Sequence, residues 1–347
     1  MKILVINQYN SDNLGDKLLN RMICNYLNNN FYEYENAGFA QTVNQDITSE
    51  IKSDKLYKLK KRIPPLLKYF LNYKYKLKII QKKIDIKSIN AVLIGGGQLL
   101  KHRTVFLYCL WNWISFAKKN KLPVIIYGVS VDSNITYFEE KIYKKLLKKV
   151  NVINVRDIQS QKKLQNMGFN VNYSPDIAFS TKDIKANYRK NGEYVLFMPY
   201  DRITAKYSFG SHDKIEETYK KILKSINKND KIILTATTSS DLIECNKVND
   251  LLKENNYNSE IKISKTIDEL LDYIINSKYI ITGRMHAMIV GLVFNKKIYP
   301  INISNKIDVF NKEYLIKPNL NIKEIYKLSI EGLQLCLKKI KDDENEK

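Results

Sequence analysis

The stretch YIITGRMHAMIVGLVF, residues 279–294, joins two apolar runs through a short polar junction. The first run, residues 279–282, is rich in β-branched and aromatic residues and predicts a buried strand. The second run, residues 287–294, predicts an apolar helix that begins directly after the junction. A buried strand that passes at once into a helix is typical of parallel α/β sheets, so this stretch indicates the fold class.

The same alternation of strands and helices recurs along the chain in two series. Strand-like apolar runs lie at 2–7, 91–94, 123–128 and 151–155, and then at 194–198, 231–236, 260–264, 278–282 and 297–302. We therefore expect an α/β protein with two Rossmann-like domains facing a cleft, in which ligands bind at the carboxyl ends of strands. The expected domains are residues 1–180 and 181–320, followed by a C-terminal helix and charged tail at 321–347.

The chain has 347 residues and a formal net charge of +22. A basic surface attracts anionic partners, but we expect no nucleic-acid partner because no recognised nucleic-acid-binding motif accompanies the charge. The N-terminus MKILVINQYN lacks the pattern of a signal peptide, and no apolar run is long enough to span a bilayer. The four cysteines are widely spaced within apolar helical patterns, which predicts reduced core thiols in a cytoplasmic protein.

The segment at residues 52–87 carries thirteen Lys or Arg and only two acidic residues. Its apolar residues follow helical spacing after a break at Pro64-Pro65, with tyrosines between them. A basic amphipathic helix of this kind suits the anionic inner face of the plasma membrane, where the protein would be peripheral. An ordinary domain helix with a solvated lysine face is the alternative.

A turn after the first predicted strand, NSDNLGD at residues 10–16, is a candidate ligand site. Gly15 permits close backbone approach, and the turn that contains Asn13 leads into a helix N-terminus, which can hold an anion or a hydroxyl-bearing ligand. Asp16 is a candidate base or hydrogen-bond anchor for such a ligand. Simple capping of the helix is the alternative explanation of these residues.

A run of glycines, Gly95-Gly96-Gly97, follows the strand predicted at 91–94. Three consecutive glycines let a ligand or another backbone approach closely. The run is neither a dinucleotide-binding fingerprint nor a P-loop, so nucleotide binding of those classes is not indicated. His102 follows within a helical turn, and for this residue alone a surface or packing role is the simpler interpretation.

Two more strand ends carry polar candidates. Ser130 follows the strand predicted at 123–128, and Arg156 ends the strand predicted at 151–155. Asp157 can cap the next helix, and the strand end would then orient Arg156 toward a ligand. A structural ion pair between Arg156 and an aspartate is the alternative.

The junction of the opening stretch contains Gly283, Arg284, Met285 and His286. A helix N-terminus attracts anions, and Arg284 adds a planar fork that matches a carboxylate or phosphate. His286 adds a donor that is charged or neutral near pH 7. Together these residues predict a binding site for an anion.

Taken in order, these residues resemble the polysaccharide pyruvyl transferase family over about residues 3–310. Each matching piece is short, and their order and spacing make the resemblance specific. The pieces are Asn13 to Asp16, Gly95 to Gly97, Gly128 to Ser130, Arg156 to Ser160 with Leu164 and Gly168, Pro175 to Phe179, Arg284 to His286, and Lys306.

The resemblance implies a GT-B-like fold and transfer of the pyruvyl group of phosphoenolpyruvate, as a ketal, to a sugar. The acceptor would belong to a cell-surface polysaccharide or its lipid-linked precursor. Phosphoenolpyruvate would be held by Arg284, Met285 and His286, with Arg156 as a second clamp. On the same basis, acceptor or loop contacts fall to Asn13, Gly15, Gly95, Gly96, Gly97, Ser130 and Lys306.

The implied chemistry needs an acid, a base and groups that stabilise anions. His286 is the candidate for stabilising the departing phosphate or supplying the acid, and Asp16 is the candidate for handling an acceptor hydroxyl. No cluster of His, Asp and Glu indicates a metal, so we expect neither a metal nor a cofactor beyond the donor substrate.

Two other functions remain open at this point. A glycosyltransferase of the same architecture would use a nucleotide sugar and would need a carboxylate for the ribose, for which Asp268 and Glu269 are available. A basic scaffold without catalysis would bind anionic surfaces with strong salt dependence, but it would leave Arg284 and His286 unexplained.

Overall fold

The computed structural model describes residues 1–39, 65–102, 104–184, 192–201, 212–317 and 320–345. The chain divides into two compact units. The first unit contains Met1–Asn10, Leu19–Asp176 and Leu328–Lys347. The second unit contains Ser11–Leu18 and Ile177–Lys327.

The first unit is built on a six-stranded parallel sheet with the strand order β2-β1-β3-β4-β5-β6. The strands are β1 Lys2–Asn7, β2 Glu33–Gly38, β3 Ala91–Leu100, β4 Val124–Val131, β5 Val152–Val155 and β6 Asn172–Tyr173. Between them run the helices α1 Leu14–Asn29, α2 Pro65–Lys83, α3 Thr104–Lys119, α4 Tyr137–Leu147 and α5 Ile158–Asn166. The central strands are buried along almost their whole length, as expected for a parallel sheet covered on both faces.

The second unit is built on a five-stranded parallel sheet with the strand order β11-β10-β7-β8-β9. Its strands are β7 Tyr194–Met198, β8 Ile232–Leu234, β9 Ser259–Ile261, β10 Ser277–Thr282 and β11 Lys297–Pro300. Its helices are α6 His212–Lys224, α7 Ser239–Glu254, α8 Ile267–Ile275, α9 Met285–Val293 and α10 Asn305–Phe310. From β7 the chain adds β8 and β9 on one side, and it then crosses over to add β10 and β11 on the other side of β7. The topological switch point of this sheet therefore lies between β7 and β10.

The domain limits differ from the prediction in two places. The last helix, α11 Ile322–Asn345, was expected as a separate element, but from Leu328 onward it belongs to the first unit. Leu333 and Leu337 of this helix are fully buried, and the hydroxyl of Tyr127 donates a hydrogen bond of 3.1 Å to the carbonyl of Ser329. In addition, Ser11–Leu18 belongs to the second unit rather than to a continuous domain of residues 1–180. This segment, which we call the turn at Ser11–Leu18, contains the loop after β1 and the first residues of α1.

The glycine run at 95–97, expected to follow the strand predicted at 91–94, is part of that strand. Strand β3 continues through it to Leu100, paired with β4. A side chain at position 95 would collide with the backbone carbonyl of Tyr127. Gly95 therefore serves the close approach of two strands, which is one of the two possibilities that the sequence left open for the glycine run.

The described part of the basic segment at 52–87 includes α2 and a short 3₁₀ helix at Ile86–Ser88. Leu77 and Ile84 are buried in the core of the first unit, and Ile80 packs partly against it. These apolar residues thus pack into the core of the first unit, as the alternative of an ordinary domain helix expected. Residues 52–64 lie outside the described residues, and membrane association stays a prediction.

Among the described residues, no helix is both long enough and apolar enough to cross a membrane. All four cysteines, Cys24, Cys109, Cys245 and Cys336, are buried and free. The prediction of core thiols is confirmed for these positions.

Candidate active site

Three neighbouring strands of the second unit deliver polar side chains to one edge of its sheet. Arg284 follows β10, Tyr200 and Asp201 follow β7, and Thr238 and Asp241 follow β8. Because the strands are parallel, their carboxyl ends lie at the same edge, on either side of the switch point. This is where open α/β sheets bind ligands.

The guanidinium of Arg284 is held by polar contacts at one edge and by an aromatic ring on one face. Its Nη2 donates to Oδ1 of Asp241 and lies 3.4 Å from the hydroxyl of Thr238. Its Cζ lies 3.9 Å from the centre of the Tyr200 ring, a cation–π contact. Burial lowers the pKa of this guanidinium, but the attraction of Asp241 outweighs it and the pKa is raised. Nε is buried and has no hydrogen-bond partner among the described residues.

Asp241 is fully buried in the first turn of α7. Thr238 caps this helix by accepting a hydrogen bond of 3.2 Å from the Asp241 amide. The carboxylate in turn accepts hydrogen bonds from the Asp201 amide at 3.0 Å and the Thr237 hydroxyl at 3.1 Å. Asp241 was not predicted from the sequence. The available signal was Thr238 followed three residues later by an acidic residue, a pattern that marks the start of a helix.

The turn at Ser11–Leu18 packs against the start of α7. The amide of Leu14 donates a hydrogen bond of 3.0 Å to the carbonyl of Thr237. Oδ2 of Asp12 accepts hydrogen bonds from the amide of Ser239 at 3.1 Å and from its hydroxyl at 2.7 Å. Burial raises the pKa of Asp12, but these bonds and the nearby Arg284 charge outweigh it, so the pKa is lowered.

The same turn places Gly15 against the side chain of His286. A side chain at position 15 would overlap the His286 imidazole, so only glycine leaves room for the ring. The Gly15 amide donates a hydrogen bond of 2.9 Å to the side-chain oxygen of Asn13, which fixes the turn. Asp16 lies in the first turn of α1 and accepts a long hydrogen bond of 3.4 Å from the Ser11 hydroxyl.

The structure therefore brings two predicted candidates together within the second unit. Gly15 of the first motif and His286 of the last motif are neighbours, and Arg284 begins the same helix as His286. Met285 is buried, with 8% of its surface exposed, so it serves the core rather than an open surface. Lys306 lies half-buried in the first turn of α10.

Arg156 lies in the first unit, where it is buried and engaged. Its Nε donates to the Ser130 hydroxyl at 2.6 Å, and its Nη1 forms an ion pair with Asp176 at 2.7 Å. Asp157 caps α5 by accepting from the Ser160 amide at 2.7 Å, as predicted. The alternative of a structural ion pair for Arg156 fits these contacts, with Asp176 rather than Asp157 as the partner.

His102 of the first unit forms a pair that the sequence did not indicate. Its Nδ1 lies 2.7 Å from Oε2 of Glu139, which also accepts hydrogen bonds from the amide and hydroxyl of Thr136 at 2.9 Å each. The Glu139 carboxylate raises the pKa of His102. Glu139 also forms the capping box of α4 with Thr136, so His102 contacts a carboxylate that already caps this helix.

The described residues contain no group of three or more His, Cys, Asp or Glu side chains that could hold a metal ion. The expectation of no metal and no cofactor stays a prediction. The chemistry available in the second unit comes from a guanidinium, an imidazole and a helix N-terminus, which suits the binding of an anion.

A family model described as polysaccharide pyruvyl transferase matches residues 13–305 of the chain. A search of curated proteins finds no match.

Similar solved structures share the architecture at low sequence identity. A putative UDP-N-acetylglucosamine 2-epimerase from Listeria monocytogenes has a TM-score of 0.55 and 10% identity, covering 98% of this chain and 90% of that one. A UDP-GlcNAc 2-epimerase from Methanocaldococcus jannaschii, in complex with UDP-GlcNAc and UDP, has a TM-score of 0.51 and 13% identity, covering 94% and 98%. A glycosyltransferase from Rickettsia africae has a TM-score of 0.52 and 14% identity, covering 97% and 88%. The predicted α/β fold with two Rossmann-like, GT-B-like domains is thereby confirmed.

Proposed function

The chain belongs to the polysaccharide pyruvyl transferase family, and from this membership we propose that it transfers the pyruvyl group of phosphoenolpyruvate to a sugar. The product is a ketal on a cell-surface polysaccharide or its lipid-linked precursor, and phosphate is released. The acceptor is a sugar that offers two hydroxyl groups.

The observation that carries the proposal is the surroundings of Arg284. Arg284 is the N-cap residue of α9 at the switch point of the second sheet, and Gly15 contacts His286 of the same helix. The buried Nε of Arg284 has no hydrogen-bond partner among the described residues, and such a donor is costly unless a ligand satisfies it. Phosphoenolpyruvate carries a carboxylate and a phosphate, either of which can accept this hydrogen bond.

The reaction has two steps at C2 of the enol. In the first step a sugar hydroxyl forms an O–C2 bond, its proton passes to a base, and the C2=C3 electron pair takes a proton at C3. In the second step another hydroxyl forms a second O–C2 bond, the C2–O bond to phosphate breaks, and phosphate leaves with the electron pair. Both steps need a proton acceptor, and the first also needs an acid.

The roles of the individual residues follow from this scheme as proposals. Arg284 holds the donor anion, and His286 stabilises the leaving phosphate or supplies the proton to C3. Asp16 handles an acceptor hydroxyl. Arg156, with Ser130 and Asp176 as its partners in the first unit, is assigned to the integrity of that unit rather than to the donor.

The competing proposal, a nucleotide-sugar glycosyltransferase, needs a carboxylate for the ribose. Glu269 accepts a hydrogen bond of 2.7 Å from the Lys265 amide, and its own amide donates to Thr266 at 3.1 Å. These bonds cap α8, so Glu269 already has a structural task. Asp268 lies in the same first turn.

Thermal unfolding with different ligands tests the proposal. A ligand that binds only the folded state raises the melting temperature. We expect phosphoenolpyruvate to raise it more than equal concentrations of inorganic phosphate, and Arg284→Ala to remove that difference. Stabilisation by nucleotides or nucleotide sugars, without any effect of phosphoenolpyruvate, would favour the glycosyltransferase.

A further inference from the structure

The carboxylate of Asp241 is fixed before it meets Arg284. The residue is fully buried in the first turn of α7. Its Oδ2 accepts from the Thr237 hydroxyl at 3.1 Å, and its Oδ1 accepts from the Asp201 amide at 3.0 Å as well as from Arg284. A carboxylate held by a helix turn, a hydroxyl and a neighbouring strand end does not follow the guanidinium, so Asp241 determines where the guanidinium lies.

The orientation of the guanidinium plane of Arg284 is also fixed. The Tyr200 ring stacks against one face at 3.9 Å from Cζ, and Nη2 is directed to Asp241 and Thr238. Only 17% of the side-chain surface is exposed. Nε, which is buried and has no partner among the described residues, is left as a donor with a fixed direction.

We propose that Asp241 is a positioning residue for the donor substrate: it holds Arg284 so that the Nε–H donor is aimed at an anionic group of phosphoenolpyruvate. The inference rests on the proposed function. Asp241 touches Arg284 rather than the substrate, so its effect on binding must pass through the guanidinium.

Because Asp241 is negatively charged, its positioning of Arg284 and its direct electrostatic effect on an anionic ligand predict opposite changes in ligand affinity. A carboxylate near an anion site opposes the binding of the anion, so its removal tightens binding if charge alone matters. A donor that is already fixed in the binding geometry lowers the conformational entropy lost on binding. If positioning dominates, removal of the Asp241 charge weakens binding, because a hydrogen bond between two ions becomes a weaker bond between the Arg284 cation and a neutral amide.

The test is a double-mutant cycle on the full-length protein, with the phosphoenolpyruvate dissociation constant measured by titration calorimetry. We expect Asp241→Asn to raise this constant by about fivefold or more, and Arg284→Gln to raise it further. Because Asp241 acts through Arg284, the double variant should equal Arg284→Gln alone. Asp250→Asn makes the same change at an exposed position of the same helix and should leave the constant unchanged. Tighter binding by Asp241→Asn, or additive effects in the double variant, would overturn the proposal.

A second measurement keeps this result separate from the proposed function. The rotation and hydrogen exchange of the Arg284 guanidinium are followed by ¹⁵N NMR without any ligand, with Arg284→Gln assigning the signal. We expect both rates to rise in Asp241→Asn and to stay unchanged in Asp250→Asn. If the wild-type protein does not bind phosphoenolpyruvate, the proposed donor fails and the NMR rates decide whether Asp241 positions Arg284. Unchanged rates in Asp241→Asn would rule the positioning out.

Discussion

Gly15 and His286 lie so close together that any side chain at position 15 would overlap the His286 ring. The first residue comes from the turn after β1, and the second from the start of α9, yet both belong to the second unit. The turn and the helix therefore form one structural feature.

Gly15→Ala should displace His286 and lower both stability and turnover. The added methyl group would collide with Nδ1 of the His286 ring and lie 3.1 Å from its Cγ, so the ring must move to make room. We expect a loss of about 1–3 kcal/mol in the free energy of unfolding, as for other overpacked sites. Chemical denaturation of the purified protein measures this loss.

His286→Ala supplies the control for that experiment, because it removes the ring with which a methyl group at position 15 collides. In the His286→Ala background, the same Gly15→Ala change should cost much less stability. An equal cost in both backgrounds would mean that position 15 is constrained by something other than His286.

Ser239→Ala should weaken the attachment of the turn to α7 in a pH-dependent way. Asp12 has a folded-state pKa below the ordinary 3.8, so its bond to Ser239 stabilises the protein above that pH. The contribution is lost as the pH falls through the folded-state pKa.

We expect Ser239→Ala to cost about 1 kcal/mol at pH 7 and less as the pH falls below the ordinary pKa of aspartate. Denaturation curves of the wild type and the variant, at pH 7 and at a pH below the ordinary pKa of aspartate, measure this difference in stability. Ser240→Ala, which removes a neighbouring hydroxyl that contacts Thr238, is the control and should show no such pH dependence.

Arg156→Met should destabilise the first unit by about 3–5 kcal/mol, because it leaves the Asp176 carboxylate buried without its cation. Replacing both residues, as Arg156→Met with Asp176→Leu, should recover much of the loss. Urea denaturation provides the measurement. If Arg156→Met keeps its stability and loses phosphoenolpyruvate binding, the donor clamp predicted from the sequence would be correct and the structural role wrong.

The pair of His102 and Glu139 should be visible in an NMR titration. The folded-state pKa of His102 lies above 6.5 because of the Glu139 carboxylate. The pair therefore stabilises the protein fully below pH 6.5, and the contribution fades as the pH rises through the folded-state pKa.

Glu139→Gln keeps a residue that suits the capping box but removes the charge. We expect the His102 pKa to fall toward its ordinary value in this variant. Glu140→Gln, which disrupts an exposed pair with Lys144, is the matched control. An unchanged His102 pKa in Glu139→Gln would contradict the pairing.

The apolar runs allowed most of the fold to be predicted, because buried parallel strands are apolar throughout and stand out between helical patterns. Strand β2 was missed since its sequence, EYENAG, is mostly polar. The placement of α11 was also missed, because helical periodicity identifies a buried face but not the sheet that the face covers.

The candidate site was predicted in part for a similar reason. Arg284 and His286 stand out as polar residues in an apolar context, and Gly15 as a glycine before a helix. Asp241 did not stand out, because its partner Arg284 is distant in the sequence and its capping position looks ordinary. The sequence could not decide between the two roles of the glycines at 95–97, because a close approach to a neighbouring strand and a close approach to a ligand require the same residue.

Phosphoenolpyruvate labelled with ¹³C at C3 reports on the proposed pyruvyl transfer through the fate of its C3 atom. The protein is incubated in deuterated water with a panel of glycan acceptors, and the products are observed by NMR. We expect a new ketal methyl group that carries one deuterium, formed together with an equal amount of phosphate, and no product with Arg284→Ala. Glycosyl transfer from a nucleotide sugar to the same acceptors, with phosphoenolpyruvate left intact, would contradict the proposed pyruvyl transfer.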